Sequence, residues 1–368
     1  MSGRGPSVLV SGVVLAQPMG GVRRHNQELL PRAERLVAAE GGRLAVLTGR
    51  EGLALELPDS IERIASDVPS GPPLARARLE SRELRRVLEL AAKAGRPFDL
   101  VHTGHLPAPR ALGVPFTLTL HDLRALELAH TPFSRRFFAR SVIGAAVTRA
   151  AAVITVSETV CAAIRERFAP RAAFVVPNAG DHLEVQPRAA SSGAALLALG
   201  HVEPRKNLEL LLRALALDRT LPPLEIAGLA KGDEPERLMA LAAELGVAAR
   251  VRFLGAIPEA ELAGLYARCA AVVIPSRLEG FGIGVLEAQR ARAPLAVAEA
   301  GALPEVSGPG VPRFAPDDAG ACVRAIRAAL EQDAAALAEH ARRAERFTWA
   351  ASAEALVSAW KASVSARR

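Results

Sequence analysis

The sequence predicts an α/β chain of two doubly wound parallel-sheet domains. Short apolar runs alternate with longer segments of helical spacing, the alternation restarts near mid-chain, and 368 residues suffice for two domains at roughly 100–200 residues each. Half of the residues are hydrophobic and 23% are charged, which excludes a disordered chain.

SVLVSGVVL is too short and too apolar for an amphipathic helix and reads as a buried first strand; Gly12 interrupts it and a glycine turn follows, which argues against a targeting segment. A helix is expected at Asn26–Ala39, then the run LAVLT, and later DLVHTG, PFTLTLHD, AAVITVSE and AAFVVPNAG. Runs that are apolar throughout suit strands covered on both faces. After the polar, proline-containing stretch Asp181–Gly193 the pattern restarts: AALLALGHV, a helix at Asn207–Leu217, LEIAG, a helix at Glu234–Leu245, RVRFLG, a helix at Glu259–Cys269, AVVIPS, a helix from about Ile283, and PLAVAE. Trp349–Ala366 is helical by spacing. The expected domains are residues 1–185, residues 186–348 and a C-terminal helix over residues 349–368, for which packing back on the first domain is one option. Ligands of open parallel sheets bind outside the carboxyl ends of the strands, so a cleft between the domains is the expected site.

The 46 Lys and Arg against 39 Asp and Glu give +7, but only four of the basic residues are lysines (Lys93, Lys206, Lys231, Lys361). With alanine abundant as well, this is a compositional bias, and no basic run is interleaved with aromatics as a nucleic-acid surface requires. No nucleic-acid partner is expected. The excess is uneven, +6 over residues 1–185 and +1 over the remainder. Cys161, Cys269 and Cys322 lie far apart without metal-ligand spacing, so neither a disulfide framework nor a zinc site is expected, and a reducing cytoplasm fits. No run reaches the ~18 apolar residues of a membrane span.

The most specific segment is IPSRLEGFGIGVLE, Ile274–Glu287. A strand runs into a loop with three glycines and then a helix, which lets a phosphate approach backbone N–H groups at the positive end of a helix dipole. Glu279 lies in the loop and Glu287 about one turn into the helix; a carboxylate accepts two hydrogen bonds from a vicinal diol, so the pair suits a ribose or a sugar. Arg205 and Lys206 precede another helix, where cations are unfavourable unless an anion is near. Alone, that pair also fits a solvated helix start.

At these residues the sequence resembles the retaining GT-B glycosyltransferases of the family 4 type, which carry an E-x7-E motif in the context PS-x-x-EGFG-x-x-x-LEA. GHVEPRKNLELLLRAL, LEIAG, VRFLGAIPEAELAGLYARCAAVVIPS and GALPEVSG also match, as do PMGGVRRHNQELL, LTLHD, ITVSE and VPNAGD in the first half. The resemblance covers almost the whole chain in the expected order. It implies a GT-B fold, two facing Rossmann-like domains with the donor in the second, and transfer of a hexose-type sugar from a UDP- or GDP-sugar to a glycan, lipid-linked or small-molecule acceptor, with a slight lean to a GDP-mannose-like donor.

It further implies that Glu287 holds the ribose hydroxyls and Glu279 a hydroxyl of the donor sugar. The amides of Phe281, Gly282 and Ile283 receive the phosphate, and Gly280 belongs to the same donor site. Gly200 and His201 belong to the same donor site, and Arg205 and Lys206 neutralise the leaving diphosphate. Gly20 and Gly21 open the first helix beside the donor, and His121, which with Asp122 ends the strand PFTLTL, contacts the donor sugar near the reacting carbon. Arg24, His25 and His102 are weaker candidates for the acceptor side; Ser157 and Asn178–Asp181 read as caps and turns. No pair of acids suits a glycosidase double displacement, no DxD-like metal site is visible, and no cofactor is expected.

Three departures from the pattern stand out: His201 where relatives have Arg, Ala179 where PNG has Gly, and Arg292-Ala293 where a small residue and Gly are common. The competing readings are another GT-B enzyme, a phosphorylase or a sugar-nucleotide epimerase, and a catalytically inactive nucleotide-sugar-binding subunit. Phe133, Phe137 and Phe138 with Arg135, Arg136, Arg140 and Arg149, and no acid between, suit either peripheral contact with an anionic membrane at the inner face or a solvated helix covering the sheet.

Overall fold

The computed structural model describes residues 4–16, 20–127, 132–188 and 194–366. The chain divides into two compact units, Met1–Asn178 with Trp349–Arg368, and Ala179–Thr348. The division falls after Asn178, so His182, which a boundary at residue 185 gives to the first domain, belongs to the second unit.

The first unit runs β1 (Ser7–Ser11), α1 (Gly21–Ala39), β2 (Arg43–Thr48), β3 (Glu62–Ala65), α2 (Pro73–Lys93), β4 (Leu100–Thr103), β5 (Phe116–Leu120), α3 (Arg124–Glu127), α4 (Phe133–Arg149), β6 (Ala152–Thr155), α5 (Glu158–Phe168) and β7 (Ala173–Val175). Its seven strands are all parallel in the order β3-β2-β1-β4-β5-β6-β7. β1, β4, β5 and β6 are buried along their length, which suits their predominantly apolar sequences; the polar residues they bury are serines, threonines and His102. Leu9, Val101, Leu118 and Val153 pack with Leu84 and Val87 of α2 and Ile143 and Val147 of α4.

The first strand stops at Ser11, short of the apolar run, and Gly12 after it lies close against β2, where a Cβ would meet Val46 Cγ1 at 2.7 Å. α1 begins at Gly21, earlier than expected, since Gly20 takes the entry at φ 49°, a left-handed value that suits glycine. From there His25, Asn26, Leu29, Leu30, Ala33 and Val37 form its buried stripe. α2, 21 residues long, goes unmarked in the sequence reading because arginines and glutamates interrupt its apolar positions.

The second unit runs β8 (Leu196–Leu199), α6 (Leu208–Leu217), β9 (Leu224–Ala227), α7 (Glu234–Glu244), β10 (Val251–Gly255), α8 (Glu259–Arg268), β11 (Ala271–Ile274), α9 (Ile283–Arg290), β12 (Leu295–Ala298), α10 (Leu303–Ser307), β13 (Arg313–Phe314), α11 (Ala319–Leu330) and α12 (Ala334–Ala344). Its six strands are parallel in the order β10-β9-β8-β11-β12-β13. The chain then returns to the first unit as α13 (Trp349–Ser365), which packs on α1 with Trp349 and Trp360 fully buried. No helix of the described residues is long and apolar enough to cross a membrane.

Candidate active site

In the second unit the strand order reverses between β8 and β11, and loops at a reversal point open away from each other at the carboxyl edge, leaving room for a ligand. After β8 come Gly200, His201 and a 3-10 turn at Pro204–Lys206; after β11 come Pro275, Ser276 and the glycine loop leading to α9. Asn207, only 2% exposed and left-handed at φ 55°, donates its Nδ2 to the carbonyls of Pro275 (3.0 Å) and Pro316 (2.8 Å), and the Arg277 amide donates to the Arg205 carbonyl (2.9 Å). These bonds lock the two loops in register.

The side chains then converge on Glu279. Lys206 Nζ donates to Glu279 Oε1 at 2.6 Å, Ser276 Oγ to the same oxygen at 2.8 Å, and Arg205 Nη1 to Oε2 at 3.3 Å. Burial pushes the Glu279 carboxyl up, but the charges of Lys206 and Arg205 with the Lys206 and Ser276 hydrogen bonds outweigh it and hold it at about 2. The second carboxylate of Arg205 is Glu203, 2.8 Å from Nε, and Glu203 also accepts from Lys231 Nζ at 3.2 Å. Burial lowers the His201 imidazole, Lys231 lowers it further and Glu203 only partly compensates, so His201 is neutral at physiological pH.

Glu287, 12% exposed on α9, is held through both oxygens: Tyr266 Oη of α8 donates to Oε2 at 2.6 Å, and His182 Nε2 lies 3.0 Å from Oε1. Burial, with Glu287 beside it, pushes the Tyr266 phenol well above its ordinary value, so it stays a donor. Phe281 turns its ring inward, 4% exposed and edge-on to Phe347, which leaves only its backbone to meet a ligand. Gly282 enters α9 at φ 88°, and Gly301 sits under Glu279, where a Cβ would meet the Glu279 carbonyl at 2.3 Å. Gly200 leaves a similar gap for the Lys206 ammonium: a Cβ there would lie 3.0 Å from Nζ. Among the described residues no group of three or more His, Cys, Asp and Glu is placed to hold a metal ion.

In the first unit, His121 follows β5 and stands edge-on to His25 of α1, ring centroids 4.7 Å apart. His25 Nδ1 lies 2.8 Å from Asn178 Oδ1, and burial lowers its imidazole to about 4 although that hydrogen bond opposes it. Burial, then the neighbouring His25 and His102, push His121 well below its ordinary value. Its Nε2 is buried with no hydrogen-bond partner among the described residues.

Residues 19–182 match the family described as Glycosyltransferase Family 4, and residues 183–347 the one described as Glycosyl transferases group 1. A D-inositol 3-phosphate glycosyltransferase from Streptomyces avermitilis is 30% identical over 311 residues, 74% of this chain and 67% of that relative. The chain belongs to the family 4 type of glycosyltransferases.

Two further relatives of this family 4 chain are a D-inositol 3-phosphate glycosyltransferase from Segniliparus rotundus, 30% identical over 69% of the chain, and an MMP alpha-(1->4)-mannosyltransferase from Mycolicibacterium hassiacum, 31% identical over 61%. The matches span 62% and 59% of those relatives' lengths. Among solved structures, sucrose-phosphate synthase from Thermosynechococcus elongatus aligns with a TM-score of 0.76 at 20% identity, covering 97% of this chain and 98% of that one. Anabaena HepE, in complex with UDP and glucose, aligns with 0.70 at 20% identity over 97% of this chain and 99% of that one. At that identity the likeness establishes the fold, which is GT-B.

Of the residues this family 4 sequence singles out, the structure brings Glu279, Arg205 and Lys206 together and places Glu287, Gly200, His201 and the Gly280–Ile283 loop around the same strand pair. His121 and His25 meet in the first unit, where Gly20 and Gly21 open α1 and Arg24 lies 3.3 Å from Glu28 on that helix. His102 neighbours them but is held inside the sheet. It lies within β4, 4% exposed, with Nδ1 2.9 Å from Thr117 Oγ1, Nε2 3.4 Å from Thr119 Oγ1 and its ring edge-on to Trp360 of α13, the setting of a structural histidine. Ser157 caps α5 by accepting from the Val160 amide.

Sequence reasoning missed Ser276, Asn207, Tyr266 and His182, which hold the two glutamates and their loops. It also missed Glu80 of α2, fully buried, which accepts from Ser11 Oγ (2.7 Å) and lies 2.9 Å from His105 Nε2, tying α2 to the end of β1. Only Ser276 had a local cue, three residues from Glu279.

Proposed function

We propose that this chain transfers a hexose-type sugar from a nucleotide-diphosphate sugar, UDP- or GDP-linked, to a glycan, lipid-linked or small-molecule acceptor. The observation that carries the reading is the Lys206–Glu279–Arg205 cluster at the reversal of the second sheet, beside the glycine entry to α9. A cation pair kept in place by a carboxylate that is ionised at any physiological pH is a preorganised receptor for a diphosphate. The backbone at Gly280–Ile283 adds the positive end of a helix dipole. Glu287, presented on α9, supplies the acceptor oxygens for a ribose diol.

In the reaction the anomeric C–O bond to the phosphate breaks and a bond from the acceptor oxygen to the same carbon forms. The acceptor proton passes to the departing phosphate oxygen, so attack comes from the leaving-group face and configuration is retained. Lys206 and Arg205 neutralise the charge that grows on the diphosphate, which assigns to side chains the work a metal ion does in other transferases. The Nε2 of neutral His121, without a hydrogen-bond partner among the described residues, suits a donor-sugar hydroxyl. The relatives named for D-inositol 3-phosphate and for mannosyl transfer are compatible with a small polyol or sugar acceptor. Three free, buried cysteines suit a reducing cytoplasm.

A thermal-shift screen of UDP-, GDP- and ADP-sugars, followed by NMR of the transferred or hydrolysed sugar, tests this reading, since a bound donor raises Tm. One nucleotide series stabilising the fold and a retained anomer at first appearance are expected. Stabilisation without turnover of any donor would favour a non-catalytic binding subunit.

A further inference from the structure

α4 carries a surface that the donor chemistry does not use. Its C-terminal half packs into the first unit through Ile143, Ala146 and Val147, whereas its first two turns are exposed all round, with Phe133, Phe137 and Phe138 83%, 66% and 55% exposed. At about 100° per residue Phe137 and Phe138 point mainly away from the side of Ile143, Ala146 and Val147, while Phe133, about 40° from Val147 around the axis, lies exposed at the helix start. The three exposed rings are therefore not the part of α4 that covers the sheet. Arg136 and Arg140 border this apolar side along one edge and Arg135 along the other, all three exposed, and the helix contains no Asp or Glu. Arg149 is not part of it: its Nη2 lies against the Ala108 carbonyl.

Three adjacent exposed aromatics with arginines on both borders match the layered chemistry of a bilayer interface, rings at the acyl boundary and guanidinium groups at lipid phosphates. We propose that the N-terminal half of α4 seats this protein on an anionic lipid surface. Charge selects that occupant over a second copy of the chain, because two such helices face to face would oppose six arginines without an acid between them. The use of the contact, to meet a lipid-linked acceptor, rests on the transferase reading; the contact itself does not.

The test is flotation of the full chain with phosphatidylcholine vesicles made with and without phosphatidylglycerol. The protein is expected to float with the anionic vesicles alone, less as salt rises. Phe133→Ser/Phe137→Ser/Phe138→Ser and Arg135→Gln/Arg136→Gln/Arg140→Gln should each cut the bound fraction about tenfold. Nucleotide-induced thermal shifts should be unchanged in both, since the substitutions lie on exposed side chains. Equal binding to neutral vesicles, no binding to either, or undiminished flotation of both variants would overturn the proposal. A dimer in solution that the serine variant dissolves, without flotation, would overturn it in favour of self-association. Flotation in a protein that binds no nucleotide sugar would leave the membrane contact standing and sink the transferase reading alone.

Discussion

Tyr266 and Glu287 lie on different helices, and the phenol of the first donates to the carboxylate of the second at 2.6 Å. With His182 on the other oxygen, the bond fixes the Glu287 carboxylate before any ligand arrives. A carboxylate that keeps one rotamer loses less freedom on binding a diol.

Tyr266→Phe should therefore raise the Kd for the nucleoside diphosphate about tenfold, the size of one hydrogen bond to a charged group. The ring remains to fill its buried site, so the fold should survive with a modest loss of Tm. Calorimetric titration checks this; an unchanged Kd would show that Glu287 needs no partner to be placed.

Gly301 makes room for the Glu279 carbonyl, and its φ of 54° is left-handed. Gly301→Ala combines that backbone strain with a contact no Cβ tolerates, so the Glu279 loop must shift. Since misplacing a reacting group by about 1 Å can cost 100-fold, donor turnover should fall by about that factor while the unit stays folded. Wild-type turnover in this variant would mean the loop position is not critical.

Stability should fall with pH in two stages. His25 is held at about 4 and His102 at about 3, both chiefly by burial and both below the usual 6.5. Between pH 6.5 and these values the unfolded chain binds protons the native state refuses, so stability drops as pH falls, by up to about 3 kcal/mol for His25. Glu279 adds a later loss: its folded value near 2 lies below the ordinary 4.5, so its contribution is complete above pH 4.5 and fades toward pH 2. Urea denaturation across this range measures both stages, and His102→Gln should flatten the upper one. A flat profile from pH 7 to 4 would show that these imidazoles are hydrated.

The sequence disclosed the sheets because their central strands are short and mostly apolar, and it disclosed Ile274–Glu287 because two glutamates and three glycines crowd one loop and the helix start that follows it. Lys206 carried a local cue as well, a cation at a helix start. What stayed hidden depends on the strand order. Lys206 meets Glu279 only because β8 pairs with β11, and Tyr266 meets Glu287 only because α8 and α9 share a sheet face. His102 illustrates the reverse: the end of a strand pointed to the ligand edge, yet Trp360, more than 250 residues later, covers its ring. Helical spacing over residues 349–366 could not reveal that α13 packs on α1.

The account stands most directly on the charge Lys206 supplies to the leaving diphosphate. Release of nucleoside diphosphate from UDP- and GDP-sugars, followed for the wild-type chain and for Lys206→Ala, measures it. Turnover of one donor by the wild type is predicted, with kcat lowered about 100- to 1,000-fold in the variant, as for loss of one preorganised group at a developing charge, and donor affinity changed far less. No turnover of any nucleotide sugar by the wild type, or an undiminished kcat in Lys206→Ala, would contradict it.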